Sequence, residues 1–257
     1  MTEQILKPGQ ADVAFQRQLY EDKNITRRGL HSARRDWVLG QALAATKKGD
    51  KVLEVGVGCG IFTEALSKAG RKIDAVDINP AFLDNVETLK NVRTHLKDAT
   101  KPLGLEQHDL AICSEVLEHV PPESSVAMLK TLAASLKPGG TLILTTPQRF
   151  ATVELVARLF KFGPILALAR KIYGHAEELG HINLLTAGQL QRQLAEAGLE
   201  VRDSRRFGFY LPVVAEFGGK PGAEILRGIE RVIRPLPVAR SLLWTQGWVL
   251  RRPASVR

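Results

Sequence analysis

The stretch Glu54-Val55-Gly56-Val57-Gly58-Cys59-Gly60, which completes the β-prone run 51–55 and extends beyond it, decides the fold. Its glycines stand at alternate positions, and because glycine has no Cβ atom the backbone there can turn tightly and approach a ligand closely. In doubly wound α/β folds, a loop of this kind joins a strand to the next helix at the carboxyl edge of the sheet, where ligands bind. We therefore expect a binding loop at 56–60.

The glycine spacing and one acidic residue narrow the class of ligand. The dinucleotide fingerprint needs G-x-G-x-x-G/A, and counting from Gly56 puts Ile61 at the third glycine position. No Gly-Lys-Ser/Thr follows the loop, as a P-loop would require. Asp77 stands roughly 20 residues beyond the loop, where a carboxylate can accept hydrogen bonds from both hydroxyls of a ribose. The pattern predicts an adenosine-containing ligand and argues against NAD.

Short β-rich runs alternate with helical runs around the loop, which is typical of a parallel sheet with crossover helices. Asn79-Pro80 is a strong helix start, the Lys-Pro-Gly-Gly sequence at 137–140 ends a helix, and Thr186 and Gln189 form a capping box. The predicted strands are 51–55, 72–76, 92–96, 109–113, 141–145, 199–205 and 248–251. This pattern predicts an α/β fold with a seven-stranded doubly wound sheet.

The chain outside the sheet pattern has three parts. An N-terminal helical cap is expected at 1–48, before the main domain at 49–257. Two insertions, at 149–176 and 216–243, have apolar residues at helical spacing and basic residues on other faces. Such helices pack on a domain as a lid, or lie on a membrane surface, or contact nucleic acid, and all three interpretations remain open.

Composition and charge limit the class of protein to which this chain can belong and the cellular location that we expect for it. The 257 residues include only two cysteines, which excludes a disulfide framework, and 44% hydrophobic residues, which argues against disorder. The N-terminus lacks the apolar core of a secretion signal, and no stretch reaches the roughly 18 uninterrupted apolar residues of a membrane span. The net charge is +9, of which +6 lies in 220–257. We expect a cytoplasmic protein whose basic end could contact the inner face of an anionic membrane.

Five motifs in order resemble the class I S-adenosylmethionine-dependent methyltransferases. They are the glycine loop at 54–60, VDIN at 76–79, KDA at 97–99, SEVLEHV at 114–120 and LKPGGTLILTTP at 136–147. The resemblance implies a Rossmann-like methyltransferase sheet. It also implies that Glu54 and the loop glycines Gly56, Gly58 and Gly60 hold the methionine end of S-adenosylmethionine, that Asp77 holds the ribose and Asp98 the adenine amino group, and that Ser114 and Glu115 line the pocket.

Two sequence elements that are typical of base methyltransferases are missing from this chain, which reduces the number of candidate methyl acceptors. Enzymes that methylate exocyclic base amines tend to have an Asp/Asn-Pro-Pro-Tyr/Phe element after the fourth strand, where this chain has Cys113-Ser114-Glu115-Val116. Methylation at C5 of cytosine needs a cysteine nucleophile, typically in a Pro-Cys pair, and the chain has no such pair. We expect Cys59 and Cys113 to be packing residues. Among the histidines, His108 is expected to be an exposed polar residue.

The sequence Glu115-x-x-Glu118-His119, with His181 further along, is a potential ligand set. On a helical turn the spacing i, i+3, i+4 places both carboxylates and the imidazole on one face. Two carboxylates and two imidazoles suit Mg²⁺ or Mn²⁺, which could orient a substrate hydroxyl and lower its pKa. Two interpretations without a metal stand beside this one: Glu115 only lines the cofactor pocket while Glu118 and His119 make hydrogen bonds at a helix end, or His119 is a general base.

This arrangement is similar to that of ubiquinone-biosynthesis O-methyltransferases and of small-RNA 3′-terminal ribose methyltransferases. It differs from the first group after His181, where Leu185-Thr186-Ala187 replaces a Phe-aliphatic-x-Pro ending. The resemblance implies a methyltransferase with Glu118 and His119 as catalytic residues, which O-methylates a hydrophobic small molecule such as a quinone precursor, a lipid or a phenolic metabolite. The alternatives are an RNA ribose 2′-O-methyltransferase and a catalytically idle cofactor-binding protein at membranes.

Overall fold

Seven strands form one sheet in the order β3-β2-β1-β4-β5-β7-β6 in the computed structural model, which describes residues 10–159 and 181–254. The strands are β1 (Lys51–Val55), β2 (Lys72–Asp77), β3 (Val92–Leu96), β4 (His108–Ser114), β5 (Leu136–Pro147), β6 (Glu200–Phe207) and β7 (Thr245–Arg251). β1 to β5 pair in parallel, whereas β7 is antiparallel to both of its neighbours, so the sheet is mixed. The predicted α/β fold and strand count are confirmed.

Helices cover both faces of the sheet and its edges. They are α1 (Gln10–Glu21), α2 (Ile25–Ala45), α3 (Ile61–Lys68), α4 (Pro80–Asp84), α5 (Ser125–Ala134), α6 (Thr152–Leu159), α7 (Ala187–Glu196), α8 (Pro212–Phe217) and α9 (Gly219–Ile233). Two apolar clusters lie against the sheet, one including Leu129 and Leu194 of α5 and α7, the other Val38 and Leu66 of α2 and α3. A third cluster, around Tyr210 and Leu226, packs the α8–α9 hairpin.

Local sequence accounts for several helix ends. Asn79 caps α4, because its side chain accepts a hydrogen bond from the backbone N–H of Ala81. Thr186 and Gln189 form the predicted capping box at the start of α7. Helix α5 ends at Ala134, before the Lys-Pro-Gly-Gly sequence at 137–140, as predicted. That sequence is not a free turn, however, because β5 already begins at Leu136.

The topology explains where a binding site lies. β1 is flanked by β2 and β4, all three parallel, so their carboxyl ends meet at one edge. The strand order reverses direction at β1, and ligands of doubly wound folds bind at this switch point. Val55, Asp77 and Ser114 end these three strands.

The structure describes the whole of the second insertion, 216–243, but only the start of the first, 149–159. The second one forms α8 and α9, as the amphipathic pattern predicts. The first begins with α6, but its part from 160 onward lies outside the described residues. Within the described ranges, no helix combines the length and apolarity that a membrane crossing needs.

Candidate functional site

The glycine loop turns by using backbone conformations that side chains disfavour. Gly56, Gly58 and Gly60 have φ values of +80°, +52° and +77°. A Cβ atom on Gly56 would collide with Cγ2 of Val116, and one on Gly58 would collide with Oε1 of Gln16. The loop therefore requires glycine both for its conformation and for the close approach of neighbouring groups.

Glu54 lies beneath this loop at the end of β1 and is fully buried. Its Oε2 accepts a hydrogen bond of 2.6 Å from the hydroxyl of Thr63, while its Oε1 has no partner among the described residues. Burial raises the pKa of Glu54, the Thr63 hydrogen bond acts in the opposite direction, and the neighbouring charge of Asp77 adds to the rise, so that the resulting pKa is about 8. A buried acceptor without a donor is costly, so this oxygen is suited to a donor supplied by a ligand.

Asp77 ends β2 with its carboxylate held in place by backbone groups. Its Oδ2 accepts from the N–H of Val57 at 2.8 Å and its Oδ1 from the N–H of Asn79 at 2.9 Å. Burial raises the pKa of Asp77, although these hydrogen bonds act in the opposite direction. The carboxylate is thus fixed beside the glycine loop, the position that a ribose-binding group needs.

Two apolar side chains at this edge were missed by sequence reasoning. Ile78, directly after Asp77, is 74% exposed, and Leu96 at the end of β3 is 61% exposed. Large apolar side chains exposed at a ligand-binding edge can pack against an aromatic ring such as adenine. The sequence signal that could have identified Ile78 is its position directly after Asp77, the acidic residue that ends β2.

Asp98 lies after β3, and 43% of its side chain is exposed to solvent. Its Oδ1 accepts hydrogen bonds from the backbone N–H of Thr100 at 2.9 Å and from the hydroxyl of the same residue at 2.7 Å. These bonds lower the pKa of Asp98, so it is ionised at neutral pH. It shapes a turn, and the same carboxylate keeps acceptor capacity for a ligand.

Ser114 and Glu115 end β4 beside the loop, but Glu115 is not on a helical turn with Glu118. Glu115 has φ +57°, and a 3₁₀ turn begins only at Leu117, so the expected single helical face is wrong. Its Oε1 accepts from the Thr145 hydroxyl at 3.0 Å, and the hydroxyls of Ser114 and Thr145 are 2.8 Å apart. A left-handed non-glycine residue marks a constrained backbone, which is common at functional sites.

Arg34 of α2 is the partner of Glu115 that sequence reasoning missed. Its Nη1 lies 2.9 Å from Glu115 Oε2, and both side chains are largely buried. Burial alone would lower the pKa of Arg34, but Glu115 reverses this and raises it. No local pattern links two residues so far apart in sequence.

Glu118, His119 and His181 do come together, as predicted. One ligand atom from each lies within 4.8 Å of the other two, and the two imidazole rings are 5.4 Å apart between centroids. Glu118 is buried, and its Oε2 accepts from the Thr146 hydroxyl at 3.0 Å. Burial raises its pKa well above the ordinary value, and the charge of Glu115 adds to this effect. Glu115 lies outside this three-residue group.

The position of His181 is set by contacts on both sides. Its Nδ1 lies 2.9 Å from Oε1 of Glu154, a buried residue of α6. The backbone N–H groups of Ile182 and Asn183 both donate to the carbonyl of Glu118. A carboxylate that orients an imidazole through its second nitrogen is the usual support of a metal-binding or general-base histidine.

The N-terminal helices lie over this edge of the sheet. Arg17 of α1 donates to the carbonyl of Cys59 in the loop at 3.0 Å and also pairs with Glu64 of α3. Cys59 itself is buried, as is Cys113, and burial raises the pKa of both thiols. Neither thiol is set up as a nucleophile, in line with the expected packing role.

Comparisons with known proteins agree with the geometry. A family model described as a methyltransferase domain matches residues 26–204. A ubiquinone biosynthesis O-methyltransferase of Xanthomonas campestris is 35% identical over 150 residues, covering 52% of this chain and 60% of the relative. Another, from Thiobacillus denitrificans, is 30% identical over 168 residues, covering 60% of this chain and 66% of the relative. The chain thus spans about 60% to 66% of the length of these curated relatives.

Solved structures support the fold. The N-methyltransferase NodS from Bradyrhizobium japonicum, in complex with S-adenosylhomocysteine, superposes with a TM-score of 0.59 at 17% identity, covering 95% of this chain and 96% of that one. Magnesium protoporphyrin IX methyltransferase from Synechocystis, with the same ligand, gives a TM-score of 0.62 at 18% identity, covering 95% and 94%. Because the family model spans most of the chain, from α2 through α7 into β6, this chain belongs to the methyltransferase domain family.

Proposed function

We propose that this protein is an S-adenosylmethionine-dependent methyltransferase that O-methylates a small hydrophobic molecule, such as a quinone precursor, a lipid or a phenolic metabolite. The observation that carries the proposal is the unpartnered, buried Oε1 of Glu54 beside the glycine loop. It supplies an acceptor for the amino group at the methionine end, and Asp77 supplies one for the ribose. The relatives named ubiquinone biosynthesis O-methyltransferases support a hydroxyl acceptor.

The described residues suit this cofactor along its whole length. Glu54 and the loop glycines would hold the methionine end, Asp77 the ribose, and Asp98 with the exposed Ile78 the adenine. When bound, S-adenosylmethionine supplies a methyl group activated on a sulfonium. The protein's own contribution is then to orient the acceptor, exclude water and accept a proton from it.

The group Glu118, His119 and His181 is the proposed acceptor side of the site. Glu118 and His119 share the turn after β4, next to Ser114 and Glu115, so they lie at the same sheet edge as the glycine loop. His119 is exposed while Glu118 is buried, so the imidazole is the group that an incoming hydroxyl can reach. We assign it as the base or as the residue that orients the acceptor.

A divalent cation is a further part of the proposal. One carboxylate and two imidazoles within 4.8 Å of each other fit Mn²⁺ better than Mg²⁺, which prefers oxygen ligands, and Glu154 orients His181 from behind. When bound, such an ion would lower the pKa of an acceptor hydroxyl. Glu115 is held by Arg34 instead, so a ligand role for it requires that this ion pair open.

The test is transfer of labelled methyl from S-adenosylmethionine into an extract of the source cells, with and without a chelator. The products are separated into lipid, aqueous small-molecule and RNA fractions. We expect label in the lipid fraction and loss of transfer with chelator, restored by Mg²⁺ or Mn²⁺. Label in RNA would replace the proposed acceptor by ribose, and no label in any fraction would favour a cofactor-binding protein without catalytic activity.

Variants of the three-residue group separate the metal from the methyl transfer. Glu118→Ala and His181→Ala should abolish the response to added cation, and Glu123→Ala, an exposed residue close by in sequence, should leave it unchanged. Transfer that ignores the chelator in the unaltered protein would remove the cation from the proposal and leave His119 as a metal-free base.

We place the protein in the cytoplasm, with its basic end free to contact an anionic membrane. The motivation is the excess of arginine in 220–257 and the hydrophobic acceptor that we propose. Fractionation of cells that express the tagged full chain tests this location.

A further inference from the structure

A cleft of about 410 Å³ lies beyond the end of β5, lined by residues that the methyl-transfer site does not use. Its wall includes the side chains of Arg149, Arg206 and Arg240. None of the described residues that line it is acidic. A concave site that combines several cations without a carboxylate has the electrostatic character of an anion site.

Arg206 is the central residue of this cleft. Only 5% of its surface is exposed, and its guanidinium stacks on the ring of Trp248 at 4.5 Å from the centroid. Its Nη1 donates to the carbonyl of Arg205, while its Nε has no partner among the described residues. It forms no ion pair with any carboxylate in 10–159 or 181–254.

The surroundings of Arg206 disfavour its positive charge, as the direction of its pKa shift indicates. Burial and, to a smaller extent, the positive charge of Arg240 together lower its pKa to about 10. A buried cation with a second cation beside it, and no carboxylate paired with it among residues 10–159 and 181–254, is electrostatically unfavourable. An anion bound between the two would relieve both the desolvation and the repulsion.

A helix terminus completes the cleft. Thr186, Ala187 and Gly188, the first turn of the ten-residue helix α7, line the same space. The capping box satisfies the backbone N–H groups of Thr186 and Gln189, so those of Ala187 and Gly188 are the ones that can donate to a ligand, and the positive end of the helix dipole favours an anion. Arg240 and Ser241, from the turn Ala239–Leu242, also line the cleft, and the side chain of Gln148 holds this turn by donating to the carbonyl of Arg240 at 3.0 Å.

We propose that this cleft binds a phosphate group, held by Arg206 and Arg240 and by the start of α7. Arginine is suited to this ligand because its planar guanidinium can donate two parallel hydrogen bonds to one phosphate. Two sources of the phosphate share this chemistry: free phosphate in solution and the headgroup of an anionic phospholipid. The apolar side chains of Phe150 and Val238, which line the cleft and are 46% and 85% exposed, would lie against the acyl region of a lipid.

The experiment titrates inorganic phosphate into the full-length protein by calorimetry. In parallel, the protein is sedimented with vesicles of phosphatidylcholine alone or mixed with phosphatidylglycerol. Arg206→Gln and Arg240→Gln are compared with Arg205→Gln, which removes the same charge from the exposed neighbouring position. Arg240 is exposed, so its variant tests the cleft even if Arg206→Gln fails to fold.

We expect phosphate binding in the unaltered protein and about tenfold weaker binding in the two cleft variants, because each loses a charge-assisted hydrogen bond. Arg205→Gln should bind like the unaltered protein. Co-sedimentation that needs phosphatidylglycerol and is lost in the cleft variants identifies a lipid headgroup, and binding of phosphate alone identifies a soluble ligand. Absence of phosphate binding, or an equal loss in Arg205→Gln, would overturn the proposal.

Discussion

The surroundings of Glu54 give the most specific prediction about the cofactor. Its Oε2 accepts a hydrogen bond from Thr63, whereas its Oε1 has no partner among the described residues. Glu54→Gln keeps the shape of the side chain and an oxygen that can accept from Thr63, but it removes the negative charge that would face an amino group. We expect the variant to fold and to bind S-adenosylhomocysteine at least about tenfold more weakly, the worth of one charge-assisted hydrogen bond. Calorimetry at pH 8 measures this difference.

The pH dependence of binding is a second prediction for Glu54. Its pKa is raised to about 8 in the ligand-free protein, so most molecules carry the neutral acid at pH 6. A ligand ammonium selects the ionised form, so affinity should rise as pH increases towards about 8 and fall again once the ammonium loses its own proton. Glu54→Gln serves as the control, because its affinity should lack this rise. Identical pH profiles for the two proteins would remove Glu54 from the binding site.

Gly58 tests the loop itself. Gly58→Arg adds a long side chain where even a Cβ atom meets Gln16, at a φ of +52° that side chains disfavour. We expect cofactor binding to be abolished. Gly104→Arg is the matched control, since Gly104 has φ +64° but open space around it. Unchanged affinity in Gly58→Arg, measured by calorimetry, would mean that the ligand does not approach this backbone.

The sequence predicted the location of residues that belong to a local motif. It did not predict pairs of residues that lie far apart in the chain. The loop glycines and Asp77 lie where their spacing indicates. By contrast, the expectation that His108 is exposed is wrong: it is fully buried, and its Nε2 lies 2.9 Å from the carboxylate of Asp74 in β2, two strands away in the sheet. Arg34 likewise reaches Glu115 only through the packing of α2 on the sheet. No pattern within one segment carries such pairings.

At the scale of elements, Asp74 joins three strands. Its carboxylate in β2 accepts from Arg93 and His95 of β3 and from His108 of β4. Burial raises the pKa of Asp74, but these hydrogen bonds outweigh it and lower the pKa to about 2. Asp74→Asn should reduce the free energy of unfolding at pH 7 by about 2 kcal/mol, because the buried His108 loses its carboxylate partner, whereas Arg93 is exposed and its pair contributes little.

The pH window of this contribution follows from the sign of the shift. The folded pKa lies below the ordinary value of 3.8, so the contribution is complete above about pH 4 and is lost as pH falls towards about 2. Urea unfolding of the unaltered protein and Asp74→Asn should converge over this range. Asp36→Asn, which breaks an exposed pair with Arg35, should change stability by less than about 1 kcal/mol at every pH. A gap between the unaltered protein and Asp74→Asn that stays constant down to pH 3 would contradict this account.

Elements with a strong local period were predictable, and their ends were not. All seven predicted strands exist, and β1 and β3 have the predicted bounds. β5 is longer than predicted, because Leu136 pairs with His108 and the N–H of Gly139 donates to the carbonyl of Arg252. The Lys-Pro-Gly-Gly residues at 137–140 are therefore part of β5, because backbone groups from distant segments of the chain form hydrogen bonds with them. The antiparallel direction of β7 relative to β5 and β6 is a property of the chain's topology, which strand periodicity cannot show.

At the scale of the whole molecule, one continuous sheet links the cofactor edge to the C-terminal strands. β5 pairs with both β4 and β7, so no gap in pairing separates the glycine loop from 245–251. Unfolding should therefore be a single transition rather than two. A ligand bound at the loop should then stabilise the C-terminal strands as much as the N-terminal ones.

The last prediction follows from this coupling. A ligand at one hundred times its Kd stabilises the folded state by about 2.7 kcal/mol, which raises Tm by roughly 5–10 °C in a chain of this size. We expect S-adenosylhomocysteine to shift one transition by this amount, with the same midpoint by near-ultraviolet absorbance, by far-ultraviolet circular dichroism and by the fluorescence of Trp248 and the other two tryptophans. Gly58→Arg should show no shift. If instead circular dichroism and fluorescence gave different midpoints, or the ligand moved only one of two transitions, the C-terminal strands with α8 and α9 would be an independent unit docked on the methyltransferase sheet.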